Sequence, residues 1–255
     1  MINEYHRPKT RVEAVALLQK PGARPLGGGT VLNRPGLTEE IAAVDLQLLG
    51  LGGIEHAAGQ FCLGATAVLQ RVTDTAWLPA GIRQAAQMEV SGNLRQMATV
   101  AGSLVSAGGR SRWAAALLAV DARLVWEPGA AAGTFEGWLA QGRPTSPGAF
   151  ITMVVFEAGV RVALQSVART PADEPLVCAA AAAWPSGRVR LALGGWGSQP
   201  LLVYDGPGLE KNIRSAAREA YALKPDEWAG AEYRREMAGV LAGRCLAQCT
   251  AQEGL

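Results

Sequence analysis

Apolar residues recur at helical spacing at Val12, Val15, Ala16 and Leu18, behind a start at Thr10 or Lys9, and Pro21-Gly22 ends the run. The pattern then shortens to β-like runs separated by turn residues. Residues 24–26 lead into three glycines, and residues 41–46 and 60–64 read as strands on either side of the Gly52-Gly53 turn. Residues 67–73 and 78–88 return to helical spacing. Residues 112–120 are rich in alanine and leucine, which predicts a buried helix; it passes through Asp121-Ala122 into a strand at 123–126 and a surface turn over 128–133.

The second half changes character. Residues 151–156, 160–167, 176–184 and 189–193 are strand-like, and turn residues such as Pro185 and Gly187 separate them, which predicts an antiparallel meander. After Pro207-Gly208 the pattern is helical through Leu246, with a break at Pro225-Asp226. The expected organisation is α+β, with a first domain over residues 1–156, itself split at about 52/53, and a second domain over 157–255.

The 255 residues suffice for a sizeable core and for two domains. Apolar residues make up 49% and charged residues 18%, a low charge content that suits a chain burying surface against partners. A net charge of +2 without any concentrated basic run argues against nucleic acid as the partner. The longest low-charge stretch, 176–185, is too short to span a membrane, and the first residues carry no apolar signal core, so the expected location is cytoplasmic.

The candidate chemistry lies in two glycine-centred stretches. One is Gly27-Gly28-Gly29-Thr30-Val31-Leu32; the other runs from Arg95 through Thr99-Val100-Ala101-Gly102-Ser103. Small residues let backbone approach a ligand and present several N–H donors to one anion. Either stretch alone reads as a tight strand-to-helix connection; the two together could hold the phosphates of a dinucleotide from opposite sides. The first is not the spaced glycine pattern of a Rossmann turn, although Asp45 lies within reach of the acidic position about twenty residues on.

Other reactive residue types are sparse. His6 and His56 stand near no nucleophile motif, and the carboxylates of Glu39-Glu40 and Asp173-Glu174 are sequence neighbours that point apart, so no catalytic residue is assigned. Cys62, Cys178, Cys245 and Cys249 form no ligand set for a metal or an iron–sulfur cluster; Cys245 and Cys249 share a helix face and read as packing. The tryptophans, among them Trp184 and Trp196, read as core or interface packing, and Arg234-Arg235 with Arg244 as a solvated face or a subunit contact.

In order and spacing, these motifs resemble the flavoprotein subunit of molybdenum-containing hydroxylases, the group that includes the medium subunit of aerobic carbon monoxide dehydrogenase and the FAD domain of xanthine dehydrogenases. The family's A-G-G-T-D-L resembles residues 27–32, and its R-N-x-A-T-I-G-G-N resembles residues 95–103. Val44-Asp45-Leu46, Leu63-Gly64-Ala65-Thr66 and Leu118-Ala119-Val120-Asp121-Ala122 are similar to further family stretches. So are Arg169 through Asp173, Leu193-Gly194-Gly195 and Tyr233-Arg234-Arg235 in the second half.

The resemblance implies an FAD-binding domain of two subdomains, followed by a small domain of antiparallel sheet packed with helices. It implies that Gly27, Gly28, Gly29, Thr30, Val31 and Leu32 on one side, and Thr99, Val100, Ala101, Gly102 and Ser103 on the other, cradle the FAD pyrophosphate. Such subunits work beside an iron–sulfur subunit and a molybdopterin subunit in a hetero-oligomeric oxidoreductase, and pass electrons through the flavin to an external acceptor. The chain departs from the pattern at Val31, Ala101, Ser103 and Arg112, where the family carries an acid, a glycine, an asparagine and an acid. Arg112 or Arg110 could instead pair with the pyrophosphate. The departures leave open a flavin-free structural or assembly subunit of the same fold; a stand-alone flavin oxidoreductase lacks a positioned acid or base.

Overall fold

The structure is a computed structural model that describes residues 2–33 and 39–251. The chain divides into two compact units. The first comprises Met1–Val72, Gly92–Ser106 and Ala122–Phe156; the second comprises Thr73–Ser91, Ala107–Asp121 and Glu157–Leu255. Two segments from within residues 1–156 therefore belong with the C-terminal residues.

The chain opens with β1 (Ile2–His6), α1 (Arg11–Leu18), β2 (Ala23–Leu26), β3 (Ile41–Asp45), β4 (Ile54–Ala57), β5 (Gln60–Gly64) and α2 (Leu69–Asp74). Four helices follow: α3 (Ala80–Glu89), α4 (Gly92–Arg95), α5 (Val100–Val105) and α6 (Arg112–Ala119). Next come β6 (Arg123–Glu127), β7 (Ala131–Thr134), α7 (Phe135–Ala140) and β8 (Phe150–Glu157). The chain ends with β9 (Arg161–Val167), β10 (Val177–Ala183), β11 (Arg188–Gly194), β12 (Leu201–Pro207), α8 (Glu210–Ala220) and α9 (Ala231–Thr250).

In the first unit β1 and β2 flank β3 in parallel, with Leu26 in register with Asp45. The Thr10 hydroxyl caps α1 by accepting the Glu13 N–H at 3.2 Å, and the Glu13 carboxylate accepts the Lys9 N–H at 2.9 Å, a near-reciprocal pair that fixes the helix start. Ala14 and Leu18 of α1 then pack with Val44, Leu46, Leu51 and Phe150 in a small core. A second sheet has the order β4-β5-β8-β6-β7; β6 runs antiparallel to both β7 and β8, and β4 antiparallel to β5.

The second unit is built on the antiparallel meander that the pattern predicts, in the order β12-β11-β10-β9. Its central strand β10 reads Val-Cys followed by five alanines and is buried throughout. Val177, Ala179, Ala181 and Ala183 pack against Ile213 of α8 and Leu241, Ala242 and Cys245 of α9, while α6 also contacts the strand. Alanine disfavours strands in isolation, but small side chains let helices come close, and packing overrides propensity. Cys245 and Cys249 point from α9 at the Ala179 and Ala181 carbonyls, at 3.2 and 3.3 Å, so their shared helix face is a packing face.

Candidate cofactor site

The first glycine stretch leaves the end of β2 and turns back on itself. Gly29 takes φ of +70°, and the Asn33 N–H closes the turn on the Gly29 carbonyl at 3.2 Å. Gly28 lies so close to the second stretch that a Cβ on it would stand 1.6 Å from the Met97 carbonyl oxygen; only glycine permits this approach. Among the described residues, no backbone N–H from Gly27, Gly28, Gly29, Thr30, Val31 or Leu32 donates to a protein acceptor. A run of undischarged donors in a small-residue loop is an anion-binding arrangement.

The second stretch is organised differently, and this corrects the expectation of two matching cradles. Thr99 is the N-cap of α5: its hydroxyl accepts the Gly102 N–H at 3.2 Å and its carbonyl the Ser103 N–H at 2.9 Å. The Val100 and Ala101 N–H groups donate to the Ala67 and Ala65 carbonyls at 2.8 and 3.1 Å. The stretch runs antiparallel beside Val68, and these contacts together take up the N–H groups of residues 100–103. Ala101 is not among the residues at positive φ, so the methyl in place of a glycine carries no backbone strain.

Both stretches face one cleft of about 190 Å³ that opens to solvent. Residues 27–32 line it together with Thr99, Ala101 and Gly102; Val100 and Ser103 do not. The walls are Trp126 of β6, Phe150 and Ile151 of β8, and Thr145. Sequence reasoning assigned none of these wall residues to the site: Trp126, Phe150 and Ile151 sit in strands that only the sheet order brings to the glycine loop, and Thr145 sits in the connection before β8. A second cleft shares Leu26, Gly27, Gly28 and Gly29, and Asp45, Gln47 and Asn33 line it as well.

Arg112 is a second correction. It belongs to the second unit and is 4% exposed; its Nε donates to Ser166 Oγ at 3.2 Å, Nη1 to the Met88 carbonyl at 3.0 Å and Nη2 to the Asp173 carbonyl at 2.9 Å. Burial pulls its pKa below the usual arginine value. Arg110 is held likewise, with Nη2 2.6 Å from Asp226 Oδ2 and its guanidinium 3.8 Å from the Trp228 ring centroid. Neither arginine lines the cleft.

The remaining reactive types are placed away from it. His6 sits 3.1 Å from Glu4, and His56 stacks on Phe61 with centroids 5.0 Å apart. Among the described residues no group of three or more His, Cys, Asp or Glu is placed to hold a metal ion. Glu89 is half-buried beside the start of α6, where it accepts from Ser111 Oγ at 2.6 Å and from the Trp113 N–H at 2.9 Å; desolvation raises its pKa against these contacts.

The family described as FAD binding domain in molybdopterin dehydrogenase matches residues 1–156, the stretch that holds the whole glycine-loop cleft. The chain belongs to this family. An uncharacterized protein of Escherichia coli K12, YgfM, is 28% identical over 256 residues, covering 98% of this chain and 97% of its own. The carbon monoxide dehydrogenase medium chain of Afipia carboxidovorans is 28% identical over 284 residues, with the same coverage of 98% and 97%. Among solved structures, reconstituted CO dehydrogenase from Oligotropha carboxidovorans superposes with a TM-score of 0.84 at 25% identity, covering 96% of both chains. Quinoline 2-oxidoreductase from Pseudomonas putida 86 shares the fold, with a TM-score of 0.81 at 20% identity over 96% of both chains.

Membership of the FAD-binding family makes FAD the cofactor and oxidoreduction the class of activity. The residues fit that cofactor: the donors of residues 27–32, without a protein acceptor among the described residues, suit a diphosphate, and the half-buried Trp126 with Phe150 and Ile151 offers an apolar wall for a flat ring. Among the described residues no helix is long and apolar enough to cross a membrane.

Proposed function

We propose that this chain is the flavoprotein subunit of a multi-subunit molybdenum hydroxylase, taking electrons from an iron–sulfur subunit and passing them to an external acceptor. The observation that carries the reading is the glycine loop, whose consecutive N–H groups are without a protein acceptor among the described residues and which lines an apolar-walled cleft. Bound there, FAD supplies the redox chemistry. The protein's own residues do the rest. The N–H groups of residues 27–32 hold the diphosphate, Gly28 lets the loop nest against Met97, and α5 serves as a wall whose donors are already internally bonded. Val31 brings an apolar side chain where the family pattern has an acid, so ribose contacts there rest on backbone groups.

The partners are proposed from the relatives' character as chains of larger enzymes. The cysteines Cys62, Cys178, Cys245 and Cys249 are all unpaired, which suits a reducing compartment such as the cytoplasm. A flavin-free structural role would leave the donors of residues 27–32 without use. Purification from the native cell under mild conditions tests the proposal. The expected product is a hetero-oligomer with stoichiometric FAD, iron–sulfur clusters and molybdenum, whose flavin absorbance bleaches when the substrate of the complex is added. A monomer without flavin would overturn it.

A further inference from the structure

Resting on the diphosphate reading above, a set of contacts outside the cleft decides which way the glycine loop faces. We infer that Asp45 and Gln47 are positioning residues that aim the loop's N–H groups at the anion. Asp45 closes β3, is 6% exposed, and gathers three groups: Oδ1 accepts the Gln47 N–H at 2.9 Å, Oδ2 accepts the Tyr5 hydroxyl, and Arg7 Nε lies 3.5 Å away. This fixes the turn after β3 and places the Gln47 amide so that Nε2 donates to the Gly27 carbonyl at 3.0 Å. One residue earlier the Leu46 N–H donates to the Leu26 carbonyl at 3.0 Å.

A trans peptide points its carbonyl and the following N–H in opposite directions. Holding the Leu26 and Gly27 carbonyls against the end of β3 therefore turns the Gly27 and Gly28 N–H groups the other way, off the Gln47 side of the loop. A peptide between two glycines meets little steric resistance to rotation, and reversed it would aim a carbonyl oxygen where a donor is needed. Gln47 is exposed, so its contact with Gly27 does not serve core packing; it lines the second cleft beside the loop and not the one walled by Trp126 and Phe150.

The test uses the full chain stripped of flavin, with Gln47→Ala as the main variant, Gln47→Glu as its acceptor-only counterpart, and Asp45→Asn to loosen the anchor. ADP and FAD are the probes, each titrated against wild type and variants, with the melting temperature of the ligand-free protein as control. In Gln47→Ala both affinities are expected to fall by the same factor, roughly three- to tenfold, and in Gln47→Glu by more, with the melting temperature unchanged. If wild type binds and Gln47→Ala binds equally well, the inference is overturned. If wild type binds neither probe, the functional proposal fails instead, and hydrogen exchange without ligand decides this one. Faster exchange of the Asn33 amide in Gln47→Ala supports a loop held by Gln47, and an unchanged rate overturns it.

Discussion

Gly28→Ala is the smallest change that reaches the core of the account. The added Cβ would lie 1.6 Å from the Met97 carbonyl oxygen and 2.6 Å from its carbon, whereas real Cβ atoms essentially never come within 3.0 Å of a neighbour. Both partners are backbone, so no side-chain rotation relieves the clash and the loop must move by an ångström or more. Displacement on that scale costs about a hundredfold where geometry controls a site, roughly 2.7 kcal/mol of binding. The internal control is Gly102→Ala. There the new Cβ meets only Thr99 Oγ1, at 2.8 Å, the cap atom that accepts the Gly102 N–H, so relieving the contact costs at most that one cap bond, about 1 kcal/mol, and leaves the backbone in place. Fluorescence titration with FAD, alongside circular dichroism to verify folding, should show a loss of at least about a hundredfold for Gly28→Ala and less than about tenfold for Gly102→Ala. Equal losses in two folded variants would refute the one-sided cradle, and an unchanged affinity in Gly28→Ala would refute the loop's role altogether.

Other consequences can be checked on the same preparation. Arg112→Met leaves the Met88 and Asp173 carbonyls and Ser166 without their donor, so chemical denaturation should show a loss of about 2–4 kcal/mol while ADP affinity stays at the wild-type value. Glu89 has a folded-state pKa above its unfolded one, so the folded chain binds the extra proton and wild-type stability falls as pH rises from the ordinary carboxylate range through the raised value. Glu89→Gln should remove that decline, making the variant's advantage over wild type larger at pH 8 than at pH 5 in parallel urea titrations. Burial pushes the Cys178 thiol up to about 12 and the Cys249 thiol up to about 11, and raises Cys245 as well. A thiol reagent at neutral pH should modify Cys62, the half-buried one, in the native chain and reach the other three only on unfolding.

The pattern of the sequence disclosed the elements whose periodicity is carried by their own residues. Helix α1 has a capping threonine and an apolar face, β9 to β11 are bounded by turn residues, and α8 and α9 are separated by Pro225. It passed over elements that exist only through tertiary pairing. Strand β1 is polar at its centre, with Asn3, Glu4 and Tyr5 exposed, and forms because β3 offers it a parallel edge. Strand β7 is exposed along its length and lies in what reads as a turn, yet β6 pairs with it from Arg123 to Trp126. Helix α5 was hidden because its start coincides with the second glycine stretch, and reading that stretch as a loop led to donors being credited to it that the helix cap and the Ala65 and Ala67 carbonyls already hold.

The site was legible to the same degree. Spacing of small residues located the first glycine loop, and the resemblance of the ordered motifs named the cofactor. The cleft walls Trp126, Phe150 and Ile151 were not legible, since a strand residue becomes a ligand wall only through sheet order, and Thr145 reaches the cleft from the connection before β8. Arg112 was misplaced because a charged residue near a glycine stretch suggests an anion partner, whereas its three contacts are neutral acceptors within the second unit.

The most direct measurement is a competition titration on the purified, flavin-free wild-type chain, following flavin fluorescence as FAD is added with and without ADP. A cradle of donors on residues 27–32 predicts saturable binding of one FAD per chain that ADP displaces, because the two ligands share the diphosphate, while riboflavin, which lacks it, binds far more weakly. Binding of riboflavin as tight as FAD and indifferent to ADP, or no binding of FAD at all, would contradict the assignment of the loop as the phosphate site.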